Sequence, residues 1–63
     1  MKENIYYIHY IVLRLEDGGW KSERGQGYYS ASNEDEAIIK CIMPLIKMKY
    51  GVDVREVKKI EVQ

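Results

Sequence analysis

The stretch IYYIHYIVLRL, residues 5–15, decides how this chain can fold. It is rich in Ile, Val, Leu and Tyr and holds a single full charge, which is typical of a long β-strand. Successive side chains of a strand point to opposite faces, and here both faces are apolar. The first face carries Ile5, Tyr7, Ile11, Leu13 and Leu15. The second carries Tyr6, Ile8, Tyr10 and Val12. A chain of 63 residues can cover one such face by itself, so the other face predicts a partner.

The residues that follow predict a β-hairpin. Both Asp17-Gly18 and Gly18-Gly19 can supply the positive φ that a tight hairpin turn requires. The first strand is therefore expected from about residue 4 to residue 16, and the second from about residue 20 to residue 31. Gly25 and Gly27 in the second strand indicate either a bulge or a place where another group packs closely.

Residues 32–51 predict an α-helix. Ser32 is the expected N-cap, and an acidic first turn follows that complements the helix dipole: Glu34, Asp35 and Glu36. Apolar residues then recur with helical spacing over about 17 residues, up to Tyr50-Gly51. Pro44 interrupts this segment and predicts a kink or a split into two helices. The apolar spacing continues across the proline, which favours the kink.

A last strand is expected from about residue 55 to residue 62, with Ile60 and Val62 facing the core. The order β–β–α–β predicts an α+β fold of one domain. In it, one Pro-kinked helix packs on one face of a three-stranded antiparallel or mixed sheet.

The small residue Ala31 lets the helix turn back tightly over the sheet. We therefore expect the helix to cover the face that carries Ile8, Val12 and Tyr29. The opposite face then exposes an apolar patch, which is the expected partner or dimer interface: Tyr7, Ile11, Leu13, Leu15, Trp20 and Tyr28.

The cysteine and histidine counts point to association as the source of extra stability. A single cysteine, Cys41, excludes an intramolecular disulfide, and with the single histidine, His9, it cannot form a structural zinc site alone. Small domains without such links usually need oligomerisation. We therefore expect a homo-oligomer, a dimer in the simplest case, with a protein partner and without cofactor or metal.

Charge and hydropathy favour a soluble cytoplasmic protein. No signal-peptide pattern is evident at the start, the apolar runs are far shorter than the ~20 residues of a membrane helix, and the lone thiol fits a reducing compartment. Net charge is zero, but residues 1–39 hold four basic and seven acidic residues (−3), and residues 40–63 hold six basic and three acidic (+3). A neutral chain is atypical of nucleic-acid binders.

The candidates for catalysis have simpler structural interpretations. Cys41 lies on the apolar stripe of the helix, which favours a buried thiol over a nucleophile. His9 has no Ser, Cys or Asp at a recognisable spacing. The acidic run 34–36 points in three directions on a helix, and the sequence RGQG at residues 24–27 lacks the spacing of a phosphate loop. The sequence therefore predicts no enzyme.

Nucleic-acid binding is the alternative to a protein interface. Six of the seven aromatic residues lie on the hairpin, and aromatic sheet surfaces can stack on single-stranded bases while Lys and Arg contact phosphates. Tyr is also a common strand and protein-interface residue. The residues that would contact a nucleic acid are Tyr10, Arg24, Arg55, Lys58 and Lys59.

Three segments together resemble the archaeal ribosomal protein of the LX type: Trp20 after the turn, residues 31–37, and residues 54–62. That resemblance implies a β–β–α–β domain that contacts ribosomal RNA through Lys58 and Lys59. The chain departs from the family in its zero net charge and in Pro44. The hairpin-then-helix order also resembles the arm-binding domains of phage-type integrases, and the short chain resembles phage or mobile-element accessory proteins, including inhibitors of host proteins.

Overall fold

The protein consists of one helix packed on a three-stranded sheet, as seen in a computed structural model that describes residues 3–60. The elements in chain order are β1 (Asn4–Glu16), β2 (Gly19–Ala31), α1 (Glu34–Lys47) and β3 (Gly51–Ile60). The predicted α+β class and β–β–α–β order are confirmed. All strand pairs are antiparallel, and β1 is the central strand between β2 and β3.

The hairpin forms as predicted, and its turn is Asp17-Gly18. Pairing with β2 runs without a bulge from Asn4↔Ala31 to Glu16↔Gly19. Gly18 and Gly19 have φ of +100° and +123°, a region that glycine occupies without the steric cost of a side chain. The bulge considered at Gly25 and Gly27 is therefore absent, and the other interpretation of these glycines, close packing, is the correct one.

The N-cap of α1 is Asn33, so the prediction of Ser32 is wrong. Asn33 has extended backbone angles, and its side-chain oxygen accepts a 2.8 Å hydrogen bond from the backbone N–H of Glu36. An N-cap residue has this geometry, with a bond to the third helical residue.

The helix also ends earlier than predicted, at Lys47 rather than near Tyr50-Gly51. Lys49 adopts a left-handed conformation, with φ of 64°, and its N–H donates to the carbonyl of Ile46. The N–H of Tyr50 donates to the carbonyl of Leu45, which completes a Schellman C-cap. This turn stops the helix, although the apolar spacing continues past it.

Pro44 lies inside α1 and does not split it. The ring removes the hydrogen bond that would run to the carbonyl of Lys40. Helical backbone continues on both sides of the proline, and the helix residues that pack on the core all precede it: Ala37, Ile38, Cys41 and Ile42.

β3 begins at Gly51, four residues before the predicted start, and it contains a bulge at Arg55. His9 pairs with Glu56 and Tyr10 with Val54, so the residue between them is extra. One extra residue reverses the face of the sheet to which each later side chain of the strand points. Ile60 therefore pairs with Ile5 on the side away from the helix, and its predicted inward orientation is wrong; Val62 lies outside the described residues.

The core lies between α1 and one face of the sheet, which we call the inner face. Its buried members come from both hairpin strands and the helix: Tyr6, Ile8, Ala31, Ala37 and Cys41. A 14-residue helix spans only about 21 Å, whereas 13-residue strands span about 44 Å. Because the core residues lie near the start of β1, α1 covers that half of the inner face, and the hairpin tip extends beyond it.

Candidate interaction surface

The face of the sheet that α1 does not cover, here called the outer face, carries an apolar row along the central strand. Residues paired directly across neighbouring strands share a face. The pairing therefore places on this face the odd-numbered residues of β1 and their partners on β2, including Tyr7↔Tyr28 and Leu15↔Trp20. The predicted interface residues all lie together here: Tyr7, Ile11, Leu13, Leu15, Trp20 and Tyr28.

These side chains differ in how much water they meet. Leu15, Trp20 and Tyr28 are each more than two-thirds exposed (68, 68 and 69%). Tyr7 and Ile11 are half-buried by their neighbours on both sides. Large apolar side chains that stay this exposed contribute little hydrophobic free energy when the single chain folds. They contribute much more when another surface covers them.

Tyr7 is held in place within the outer face. Its ring centroid lies 5.5 Å from that of Tyr28, with the planes tilted by 56°, a favourable aromatic pair. Its hydroxyl donates a 2.9 Å hydrogen bond to Oε1 of Gln26. The aromatic part of the surface is therefore ordered before any partner arrives.

Ile5 and Ile60 extend the apolar row beyond the predicted set. They pair across β1 and β3 at one end of the outer face. Sequence reasoning had placed Ile60 in the core, because the bulge at Arg55 leaves no mark in the apolar pattern. Ile5 was noted on this face but not among the interface residues.

Charged side chains flank the apolar row on both sides. On β2, Arg24 lies opposite Ile11 and has no ion-pair partner among residues 3–60. On β3, Asp53 lies on the other side of Ile11, and Glu56 and Lys58 pair with His9 and Tyr7. The outer face thus has an apolar centre and a polar rim, which is the general anatomy of a protein interface.

The hairpin tip forms a two-stranded arm beyond the start of β3. Its outer side carries Leu15 and Trp20. On its inner side Arg14 forms a 2.8 Å ion pair with Glu23 and a 3.7 Å contact with Glu16. The two sides of the arm are therefore chemically different, and the apolar side is continuous with the outer face.

A shallow depression of about 360 Å³ lies on the outer face near β2. It is lined by Tyr7, His9, Arg24, Gly25 and Gln26. The lining is polar and holds no nucleophile, so the side chains present offer hydrogen bonds and positive charge rather than covalent chemistry.

Cys41 is buried under α1, in agreement with the prediction of a buried thiol. Burial raises the pKa of its thiol, and a hydrogen bond with the Tyr29 hydroxyl opposes part of this rise. Burial also raises the pKa of Tyr29, with the thiol adding to the effect. A neutral, enclosed thiol is a poor nucleophile and a poor metal ligand.

Among residues 3–60 no group of three or more potential metal ligands is found. The acidic run at the start of α1 instead lies next to the free N–H groups of the first turn. This placement matches the dipole role predicted for it.

The structure does not bring the predicted nucleic-acid residues together on one surface. Tyr10 packs against the core on the inner face, whereas Arg24 and Lys58 lie on the outer face. Arg55, at the bulge, forms a 3.0 Å ion pair with Asp53. Lys59 pairs with Tyr6 and so lies on the helix side of the sheet.

Four large apolar side chains on α1 and its C-cap are exposed: Ile39, Met43, Ile46 and Met48. The spacing of Ile39, Met43 and Ile46 places these three on one face of α1. In residues 3–60 no helix is both long and apolar enough to cross a membrane.

Comparison with known proteins finds no match to any protein-family model, any curated protein or any solved structure.

Proposed function

We propose that the chain is a non-enzymatic interaction module that forms a homodimer through the outer face and acts by binding another macromolecule. The observation that carries the proposal is the exposed apolar row on the central strand, which ends in Leu15 and its partner on β2, Trp20. The central strand of a small sheet is the place where a single chain best hides apolar side chains. Here half of those side chains remain uncovered.

The size of the outer face suits a dimer. Nine paired rows of three strands span about 30 by 14 Å, and the arm adds three further rows, which gives roughly 500 Å² per copy. Two copies would together bury roughly 1,000 Å², the lower end of specific interfaces. Sheets packed face to face in this way lie ~10 Å apart with interdigitated side chains.

The flanking charges favour one arrangement of the two copies. If the two-fold axis runs parallel to the strands, β2 of one copy faces β3 of the other. Arg24 would then lie opposite the acidic residues Asp53 and Glu56 of the second copy. Complementary charge at the rim specifies orientation and lowers the chance of pairing with other proteins.

A cytoplasmic location is part of the proposal. A free, buried thiol with no second cysteine in the sequence is stable in a reducing compartment.

Light scattering coupled to gel filtration tests the dimer. The wild-type chain should have at least twice its 7.4 kDa mass at micromolar concentration. Leu15→Glu should halve the wild-type mass, because a charge at this exposed site leaves the fold of one copy unchanged and cannot be buried in the face-to-face contact. Ile39→Glu is the matched control, since that side chain is similarly exposed on α1, and it should keep the wild-type mass.

Fluorescence of Trp20 gives an independent test. Emission should shift to the blue as the concentration rises, because the indole moves from water into the interface. A wild-type monomer whose Trp20 emission stays that of a fully hydrated indole at all concentrations would refute the dimer.

Single-stranded nucleic acid is a second candidate ligand, favoured by one observation. Tyr7, Tyr28 and Trp20 share the outer face with Arg24 and Lys58, two cations that have no ion-pair partner among residues 3–60. Stacking with phosphate contacts would use this combination. Fluorescence anisotropy with labelled oligonucleotides tests it: binding should weaken steeply with salt, and absence of binding at low salt would exclude it.

A further inference from the structure

The two edges of the sheet are differently protected against pairing with another strand. β3 carries a bulge at Arg55 and a charged residue at five of its ten positions: Asp53, Arg55, Glu56, Lys58 and Lys59. Bulges and charges are the devices by which natural proteins prevent edge strands from pairing. The β3 edge is thus closed to further strands.

The β2 edge has neither device over residues 25–29; beyond them the Lys40 ammonium donates a 2.6 Å hydrogen bond to the carbonyl of Ser30. β2 is 13 residues long and pairs with β1 without a bulge, and its stretch 25–31, GQGYYSA, contains no charged residue and no proline. Gly25 and Gly27 present no side chain on the inner face at this edge. The rings of Tyr10 and Tyr29 occupy that space instead, so the inner face at this edge is aromatic and uncharged.

Counting from the turn identifies which backbone groups are free. The two-residue turn is closed by the pair Glu16↔Gly19, and hydrogen-bonded pairs of an antiparallel ladder alternate from that point. Gly25 and Gly27 then bond to β1. The N–H and C=O groups of Arg24, Gln26 and Tyr28 point away from β1, towards the open edge.

We propose that β2 pairs antiparallel with β2 of a second copy, which joins two sheets into one of six strands. The occupant is a second copy because the edge is complementary to itself. In the register centred on Gln26, Arg24 of each copy lies opposite Tyr28 of the other, on the same face. Cross-strand partners of this kind are about 5 Å apart, close enough for a cation–π contact, and two such contacts form by symmetry.

The charges of β2 support this pairing. With Gln26 at the centre, Lys21 faces Ala31 and Glu23 faces Tyr29 of the other copy, so no like charges are opposed. Edge pairing leaves the apolar row along β1 free, although Arg24 and Tyr28 would contribute to both contacts. The edge contact is therefore compatible with the face-to-face dimer, and both contacts together would give a tetramer.

Amide hydrogen exchange by NMR tests the edge. On raising the concentration of the wild-type chain, the amides of Arg24, Gln26 and Tyr28 should exchange at least about tenfold more slowly. The same slowing of amide exchange with concentration is expected in Leu15→Glu, in which the face-to-face dimer is broken. If these three amides exchange at the rate of a free edge at every concentration in both proteins, edge pairing is refuted, whatever happens at the outer face.

A proline variant tests the same contact by mass. Gln26→Pro removes an N–H at the open edge, and Gln26→Ala is its control, since both lose the hydrogen bond to Tyr7. In the Leu15→Glu background, Gln26→Ala should remain dimeric and Gln26→Pro should be monomeric. Equal masses for the two would contradict the proposal. Should Gln26→Pro fail to fold, the exchange measurement decides alone.

Discussion

The ring of Tyr10 lies in the space that a side chain at Gly25 would occupy. A β-carbon at Gly25 would lie 2.5 Å from Cζ of that ring, well inside van der Waals contact. Tyr10 in turn packs against the core under α1. The glycine in β2 is therefore required by a tyrosine on the neighbouring strand and not by the backbone of β2 itself.

Gly25→Ala should lower the free energy of unfolding by about 1–3 kcal/mol, because the ring must leave its position or the strands must separate. Urea denaturation measures this. In a Tyr10→Ala background the same change should cost much less, since the conflicting ring is gone. Equal costs in the two backgrounds would show that the ring is not the cause.

Asn33→Ala should destabilise the protein by about 1 kcal/mol, because the N–H of Glu36 loses its acceptor. Thermal and urea denaturation both report the change. Ser32→Ala is the matched control one residue earlier, and it should have a much smaller effect. A larger destabilisation by Ser32→Ala than by Asn33→Ala would identify Ser32 as the N-cap.

Lys49→Gly should stabilise the protein by about 0.5–1 kcal/mol, since a left-handed φ of 64° is strained for lysine and free of strain for glycine. The measurement is again the midpoint of urea unfolding. Lys47→Gly, within the last turn of α1, should instead destabilise by a similar amount. A loss of stability in both variants would contradict the left-handed turn.

Stability should fall as the solution becomes alkaline. The pKa of Cys41 is raised in the folded chain above its ordinary value of 9.0, and that of Tyr29 above 10.0. Below pH 9.0 both groups are neutral whether the chain is folded or not, so their contribution is fully present. As the pH rises further, the unfolded chain ionises first, and stability is lost up to the folded pKa values.

Urea unfolding at a series of pH values from about 8 to 10.5 measures this loss. Cys41→Ala should reduce the slope that begins near pH 9.0 and leave the part of the Tyr29 effect that comes from burial rather than from the thiol. Identical slopes in the two proteins would show that the thiol does not contribute.

The sequence predicted the elements whose signals are local. β1 is apolar and bounded by an Asp-Gly turn, and α1 shows clear helical spacing after an acidic first turn. The location of the outer face also followed from the alternation of side chains along β1, once Ala31 indicated where the helix turns back.

The wrong predictions concern sites where several local structures are possible and contacts between distant parts of the chain decide which one forms. Ser32 and Asn33 are both good caps, and only the path of the chain from β2 selects the second. The left-handed Lys49 interrupts an apolar pattern that continues past it. Arg55 forms a bulge in β3 with no glycine or proline beside it to mark one, and the bulge exchanged the faces of Ile60 and its neighbours.

The position of β1 at the centre of the sheet has a consequence for synthesis. One neighbour, β2, follows β1 directly in the chain, but the other, β3, is the last described element, and Ile5 pairs with Ile60. During translation β1 therefore has a completed hairpin on one side and an open edge on the other until β3 has emerged. The most apolar segment of the protein is thus the last to be fully paired. This interval, rather than the folded state, is where aggregation competes with folding.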